Sequence, residues 1–163
     1  ALSRTVYTYN GKVQSPSVIV KDSEGKSLRN GTDYTVTVPK GRKEIGSYTY
    51  TIKFKGNYAG VVTRSMVINP KATTFSKVKG YKKYFIAKWK KYNVKNTGYE
   101  LQYSTNARFT SGTKTKAVKS YKTVSLKVKT AKKKYYVRIR TYKRVGGKNY
   151  YSAWSKARTV KVK

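Results

Sequence analysis

Tyr135-Tyr136-Val137-Arg138-Ile139-Arg140-Thr141-Tyr142-Lys143-Arg144 is the stretch on which the fold turns. Tyr135, Val137, Ile139 and Thr141 project to one side, while Tyr136, Arg138, Arg140 and Tyr142 project to the other. That period of two belongs to a strand with one face buried, and it has no helical counterpart. Aromatic and β-branched side chains also suit a pleated, half-buried surface.

Working outward, the same alternation recurs. Phe85, Ala87 and Trp89 share a face, as do Tyr99, Leu101 and Tyr103, and again Val124, Leu126 and Val128. The second half then reads as seven strands: Thr74–Val78, Tyr84–Lys90, Tyr99–Ser104, Thr115–Val118, Thr123–Val128, Tyr135–Arg144 and Tyr151–Val162. Seven strands in roughly 93 residues is the size of an immunoglobulin-like sandwich. The first half gives shorter runs at Thr5–Tyr9, Ser17–Lys21, Asp33–Val38, Ser47–Lys55 and Val61–Ile68. Asn10-Gly11, Asn30-Gly31 and Gly56-Asn57 supply turn chemistry between them. Asn69-Pro70-Lys71 ends this series, because proline cannot continue a central strand. The expected class is all-β: two tandem antiparallel β-sandwiches, residues 1–70 and 71–163.

Charge divides at the same boundary. Of 39 basic and 5 acidic residues, residues 1–70 hold 11 and 4, a net of +7. Residues 71–163 hold 28 basic residues and one acid, Glu100, a net of +27. Such an excess attracts polyanions: nucleic acid, anionic lipid, acidic polysaccharide or the teichoic-type polymers of a Gram-positive wall. No groove-reading helix or nucleic-acid motif accompanies the charge, so no specific nucleic-acid partner is expected.

The chemistry expected of an enzyme is missing. The chain has no His and no Cys, which removes the usual general bases, thiol nucleophiles and zinc ligands. A lone Glu100 gives the second half no carboxylate pair. Five carboxylates over two domains do not readily supply the six to eight oxygens calcium takes. Asp33 is read instead as a turn cap. The expectation is therefore no enzyme, no metal and no cofactor. No apolar run approaches the roughly 20 residues of a membrane span. A start at Ala1-Leu2-Ser3 reads as a cut from a larger multidomain chain, monomeric within it.

The Trp89 strand, Gly98-Tyr99-Glu100-Leu101-Gln102-Tyr103, Leu126, Tyr135-Tyr136-Val137-Arg138-Ile139-Arg140 and Trp154-Ser155 resemble a fibronectin type III domain. The variety they resemble is the lysine-rich one of secreted proteins from anaerobic Firmicutes. The resemblance implies that Trp89 is the core tryptophan and Tyr135 the corner tyrosine. The long basic stretch from Lys114 to Lys134 departs from it. Tyr151-Ser152-Ala153-Trp154-Ser155 is similar to the W-S-x-W-S motif of cytokine-receptor fibronectin domains, with Tyr in place of the first Trp. That likeness implies a structural stack of Arg138, Arg140, Tyr151 and Trp154. In the first half, Tyr9-Asn10-Gly11-Lys12, Gly31-Thr32-Asp33-Tyr34-Thr35-Val36 and Gly56-Asn57-Tyr58-Ala59-Gly60 resemble a short immunoglobulin-like repeat of Firmicutes surface proteins. It implies a β-sandwich and an extracellular, secreted or cell-surface address.

Two functions follow as expectations. One is a module that binds acidic wall polymers or acidic glycans through outward lysines: Lys77, Lys79, Lys88, Lys90, Lys127 and Lys129, extended by Lys132 and Lys133. The other is a passive stalk that positions another domain of the parent protein.

Overall fold

A computed structural model describes residues 1–94 and 97–163, with no helix among them. The chain divides into two compact units, Ala1–Asn69 and Pro70–Lys163. Pro70 is fully buried and falls with the second unit, one residue away from the boundary expected after residue 70 from the proline and the charge division.

The first unit is built on one four-stranded sheet. Its strands are β1 (Val6–Thr8), β2 (Tyr34–Thr37), β3 (Gly46–Phe54) and β4 (Val61–Asn69), in the order β1-β4-β3-β2. Tyr34, Tyr50, Ile52, Met66 and Ile68 are buried on its inner face, with Leu2, Leu28 and Ile45 brought in from loops. Serines and threonines dominate the outer face, as where Thr49 and Ser65 share a hydrogen bond of 2.9 Å. β1 runs parallel to β4, whereas β2–β3 and β3–β4 are antiparallel. Alternation fixes which side chains face the core and carries no information about strand direction.

The strand expected at Ser17–Lys21 is absent. That segment makes single bridges, Leu2↔Val18 and Lys21↔Ser27. Pro16 precedes it, and just after it the Asp22 carboxylate accepts from the backbone N–H of Glu24 and Lys26. The turn folds the chain back before a ladder can lengthen. Asp33 acts similarly, accepting from the N–H of Arg29 at 2.7 Å.

The second unit packs two sheets face to face. One contains β5 (Phe75–Tyr81), β6 (Tyr84–Trp89) and β9 (Ser125–Lys129), in the order β5-β6-β9. The other contains β7 (Thr97–Ser104), β8 (Lys114–Val118), β10 (Lys134–Val145) and β11 (Lys148–Tyr151), in the order β11-β10-β7-β8, and β12 (Arg158–Lys161) also pairs with β10. Between the sheets lie Phe85, Ala87, Trp89, Tyr99, Leu101, Tyr103, Val128, Tyr135, Val137 and Ile139, all buried. Full burial of an aliphatic or aromatic side chain contributes roughly 1.5–3 kcal/mol each. The rings also meet edge to face: Phe85–Tyr103 centroids are 5.6 Å apart and Tyr103–Tyr135 centroids 5.9 Å. The Tyr135 hydroxyl accepts from the Thr130 hydroxyl at 2.7 Å.

The strand expected across Tyr151–Val162 is split into β11 and β12. Between them, Ser152 and Ser155 replace ladder carbonyls with hydroxyls. Ser152 Oγ accepts from Thr141 N at 3.0 Å and Ser155 Oγ from Ile139 N at 3.1 Å. The chain bulges over β10 without leaving its N–H groups unpaired, which is the condition for burying them.

One side of the sandwich is stitched. Lys163 N donates to Tyr81 O at 2.9 Å and Lys83 N to Lys163 O at 3.0 Å, tying the end of β12 to the β5–β6 hairpin. Gly80 makes this approach feasible, since a Cβ there would lie 1.9 Å from Lys161 O. The opposite side, between β8 and β9, has no such backbone bonds among the described residues.

Candidate polyanion-binding face

The outer face of the three-stranded sheet follows from register. Phe85 pairs with Val128 and Ala87 with Leu126, and these point inward, so the residues between them point out. The outer rows are Lys77–Lys88–Ser125, Lys79–Ile86–Lys127 and Tyr81–Tyr84–Lys129. The five lysines in those rows are exposed, and the sheet contains no carboxylate. Strand spacing of about 4.8 Å and a same-face repeat of about 6.8 Å place the stems on a two-dimensional grid.

Within this grid Tyr81 and Tyr84 stack, with centroids 4.9 Å apart and planes 12° from parallel. Lys127 Nζ lies 4.0 Å from the Tyr84 centroid and Lys79 Nζ 5.4 Å from that of Tyr81. The ring quadrupoles attract these two ammonium groups and hold them close to the surface.

Lys90 lies just beyond β6. Its N–H donates to Thr74 O and its carbonyl accepts from Thr73 Oγ1, while its side chain is exposed. Lys132 and Lys133 sit exposed in the turn from β9 to β10. The structure therefore gathers Lys77, Lys79, Lys88, Lys127 and Lys129 on one face, with Lys90 at the end of β6 and Lys132–Lys133 beyond Lys129.

Two further lysines belong to this region and escaped the sequence reading. Lys114 pairs with Tyr103 and Lys116 with Leu101. Cross-strand partners share a face, so both lysines stand on the core side of β8, yet both are exposed. They line an open groove of about 680 Å³ with Lys127 and Lys129, over Tyr103, Leu126 and Val128. Val118 carried the signal: as the apolar end of β8 it sets the parity that puts Lys114 and Lys116 inward.

A second cluster lies on the outer face of the larger sheet. Arg138 sits between Phe109 and Trp154, at 4.2 and 4.5 Å from the ring centroids. Arg140 sits between Trp154 and Tyr151, at 4.3 and 3.6 Å. The order is Phe109–Arg138–Trp154–Arg140–Tyr151. Glu100 Oε2 pairs with Arg140 Nη2 at 2.6 Å, and Gln102 Oε1 accepts from Arg138 Nε and Nη2 at 2.9 and 2.7 Å. Burial and the neighbouring Arg140 charge lower the Arg138 pKa. Every guanidinium here is engaged by rings and side-chain oxygens, so this cluster joins strands and presents little open charge. Phe109 was missed because it lies in a loop, with φ of 57°.

Among the described residues no group of three His, Cys, Asp or Glu side chains gathers to hold a metal ion. No helix among them is long and apolar enough to cross a membrane.

No protein-family model matches this chain, and no curated protein matches it. Among solved structures it is similar to the FN1–FN3 domains of chicken CNTN1, at 16% identity and a TM-score of 0.47, over 76% of this chain. The chain spans 46% of that structure's length.

Proposed function

We propose that the chain is a non-catalytic extracellular module of a bacterial surface or secreted protein. In this reading it binds acidic polymers, a wall polymer or an acidic polysaccharide, through the outer face of the three-stranded sheet. The observation that carries this is the face itself: five exposed lysines from three neighbouring strands, with no carboxylate in the sheet. Solubility alone asks for dispersed charge of both signs, whereas a one-sign grid concentrates counter-ions. The sole acid of Pro70–Lys163, Glu100, is tied to Arg140 on the other sheet and does not offset the field. The non-catalytic reading draws on a chain with neither His nor Cys. The Firmicutes origin and extracellular address draw on the resemblances carried by Trp89, Tyr135 and Gly31–Val36.

The test is retention of the full chain on teichoic-type polymer and polyuronate columns at low salt, against a neutral glycan. The variant Lys77→Gln/Lys79→Gln/Lys88→Gln is run beside it. Weaker retention of the variant on the acidic columns supports the reading. A chain that passes unretarded at 50 mM salt leaves the spacer role standing.

A further inference from the structure

The groove between β8 and β9 differs in kind from the lysine face beside it. Among the described residues each of these strands has a ladder partner on one side only: β8 pairs with β7, and β9 with β6. Alternate residues of both therefore direct N–H and C=O groups into the seam. The other side of the sandwich is closed by the Lys163–Tyr81 and Lys83–Lys163 bonds, so the seam is a local opening and not a general looseness of packing. Its floor is apolar, formed by Tyr103, Leu126 and Val128, and its volume of about 680 Å³ falls in the range of ligand sites. Four lysines line it, Lys114 and Lys116 from β8 and Lys127 and Lys129 from β9, without a carboxylate among its residues.

We propose that this seam receives an extended acidic polypeptide, which adds to the open edge of β8 as a further strand. Backbone pairing to a sheet edge is the recognition mode that unpaired strands offer, with side-chain pockets at alternate positions giving selectivity. The lysines give the pattern. Lys114 and Lys116 repeat every second residue, about 6.8 Å apart, which is the same-face repeat of an added strand. Residues of the incoming strand opposite them lie on their face and should be acidic, since opposite charges directly across a ladder stabilise it. Residues opposite Thr115 and Ala117 lie on the other face and should be small or β-branched. The ligand is therefore an acid-alternating segment.

Inward lysines on an edge strand also prevent edge-to-edge association. Here the two roles are one: a second copy of this basic chain is repelled, and an acidic strand is accepted. An oligosaccharide would meet the lysines but has no peptide N–H and C=O to match the strand edges, so the edges favour the peptide. Lys127 and Lys129 border both the seam and the outer face, but Lys114 and Lys116, which set the alternation, lie outside that face, so this inference does not depend on the outer-face reading.

The experiment uses the full chain and a labelled seven-residue peptide alternating Glu with Thr or Val, followed by fluorescence anisotropy. Binding should weaken at least tenfold when the four Glu are grouped in a block. N-methylation of alternate peptide nitrogens should weaken it as much in one of the two possible registers. Lys114→Gln/Lys116→Gln should lose at least tenfold, while Lys77→Gln/Lys79→Gln/Lys88→Gln stays within twofold. In the unsubstituted chain the peptide should slow amide exchange across Lys114–Val118, a readout independent of how the variants fold. Equal binding of both N-methylated registers and the unmodified peptide, or no added protection of β8, overturns the proposal. So does a four-charge oligouronate that binds as tightly with the same dependence on Lys114 and Lys116.

Discussion

Glu100 and Arg140 face each other across β7 and β10, with Oε2 2.6 Å from Nη2, and theirs is the one side-chain ion pair among the described residues. Both side chains are largely covered, at 16% and 23% exposure. Arg140 also has Arg138 on the other face of Trp154. The carboxylate thus screens two like charges held close together. Glu100→Gln removes that screening and should destabilise the second unit by about 1.5–3 kcal/mol, the range for hydrogen bonds to charged groups. Urea denaturation checks this, and an unchanged midpoint would show that the guanidinium pair needs no counter-charge.

Trp154 is predicted to act in stability and not in binding. Its indole lies between two guanidiniums, at 4.5 and 4.3 Å. Trp154→Ala forfeits two such contacts at roughly 0.5–1 kcal/mol each, besides the area covered by the ring. A melting temperature lowered by several degrees with polymer affinity unchanged is the expected pair of results. Loss of affinity in a variant that melts normally would instead make these rings a ligand platform.

How much of this was legible in the sequence depended on what each residue's neighbours had to be. Phe85, Ala87 and Trp89 face the core because alternation alone decides facing, and it did so again for Tyr99, Leu101 and Tyr103. The outer positions of Lys77, Lys88 and Lys127 followed by the same logic. Pairing partners are another matter. β1 lies parallel to β4 through a long excursion that no local pattern encodes. Ser152 and Ser155 break a strand that alternation would continue, because their hydroxyls substitute for carbonyls only where β10 happens to lie. Phe109 reaches Arg138 from a loop, and the inward placement of Lys114 and Lys116 runs against the rule that charge faces out. These residues depend on which strand stops short, and that is a tertiary fact.

Gly80→Ala should be among the most damaging single-methyl changes in the second unit. The added Cβ would lie 1.9 Å from Lys161 O and 2.8 Å from its carbonyl carbon, both backbone atoms. β5 and the end of β12 would have to separate, at a cost of roughly 1–3 kcal/mol or more, as for overpacked sites. Faster amide exchange at Lys163 and Lys83, whose N–H groups stitch that side, would locate the damage. Gly112→Ala, with nothing within 4 Å of its Cβ but a φ of 58°, is the control for backbone strain alone.

Alkaline pH should unfold the second unit through its tyrosines. Burial raises the pKa of Tyr99, Tyr103 and Tyr142 above the ordinary 10.0. The unfolded chain releases those phenol protons near pH 10, while the folded chain keeps them. Their contribution is therefore fully present below pH 10 and falls as pH rises through the folded values. Each such proton steepens the fall by up to about 1.4 kcal/mol per pH unit. Tyr103→Phe should make the stability curve shallower by that amount above pH 10. Every other group is common to both proteins, so the difference isolates the phenol. Parallel curves would mean that Tyr103 titrates as it does when unfolded.

Salt separates a lysine grid from a spacer. For nucleic acids, each phosphate neutralised contributes roughly −0.7 to −0.9 to the slope of log K against log salt. If a polyphosphate wall polymer engages the five outward lysines, affinity should drop by roughly three to five orders of magnitude between 50 and 500 mM salt. At 0.15 M the screening length is about 8 Å, so only lysines near the polymer contribute. Replacing Lys77, Lys79 and Lys88 by Gln should then flatten the slope by roughly 2–3, without unfolding a sheet whose core side is Phe85, Ala87 and Val128. Replacing Lys12, Lys21 and Lys26 removes the same charge from the first unit and should leave the slope unchanged. Equal flattening by the two triple variants would mean that net charge alone binds the polymer. In that case the arrangement on β5, β6 and β9 has no part in recognition.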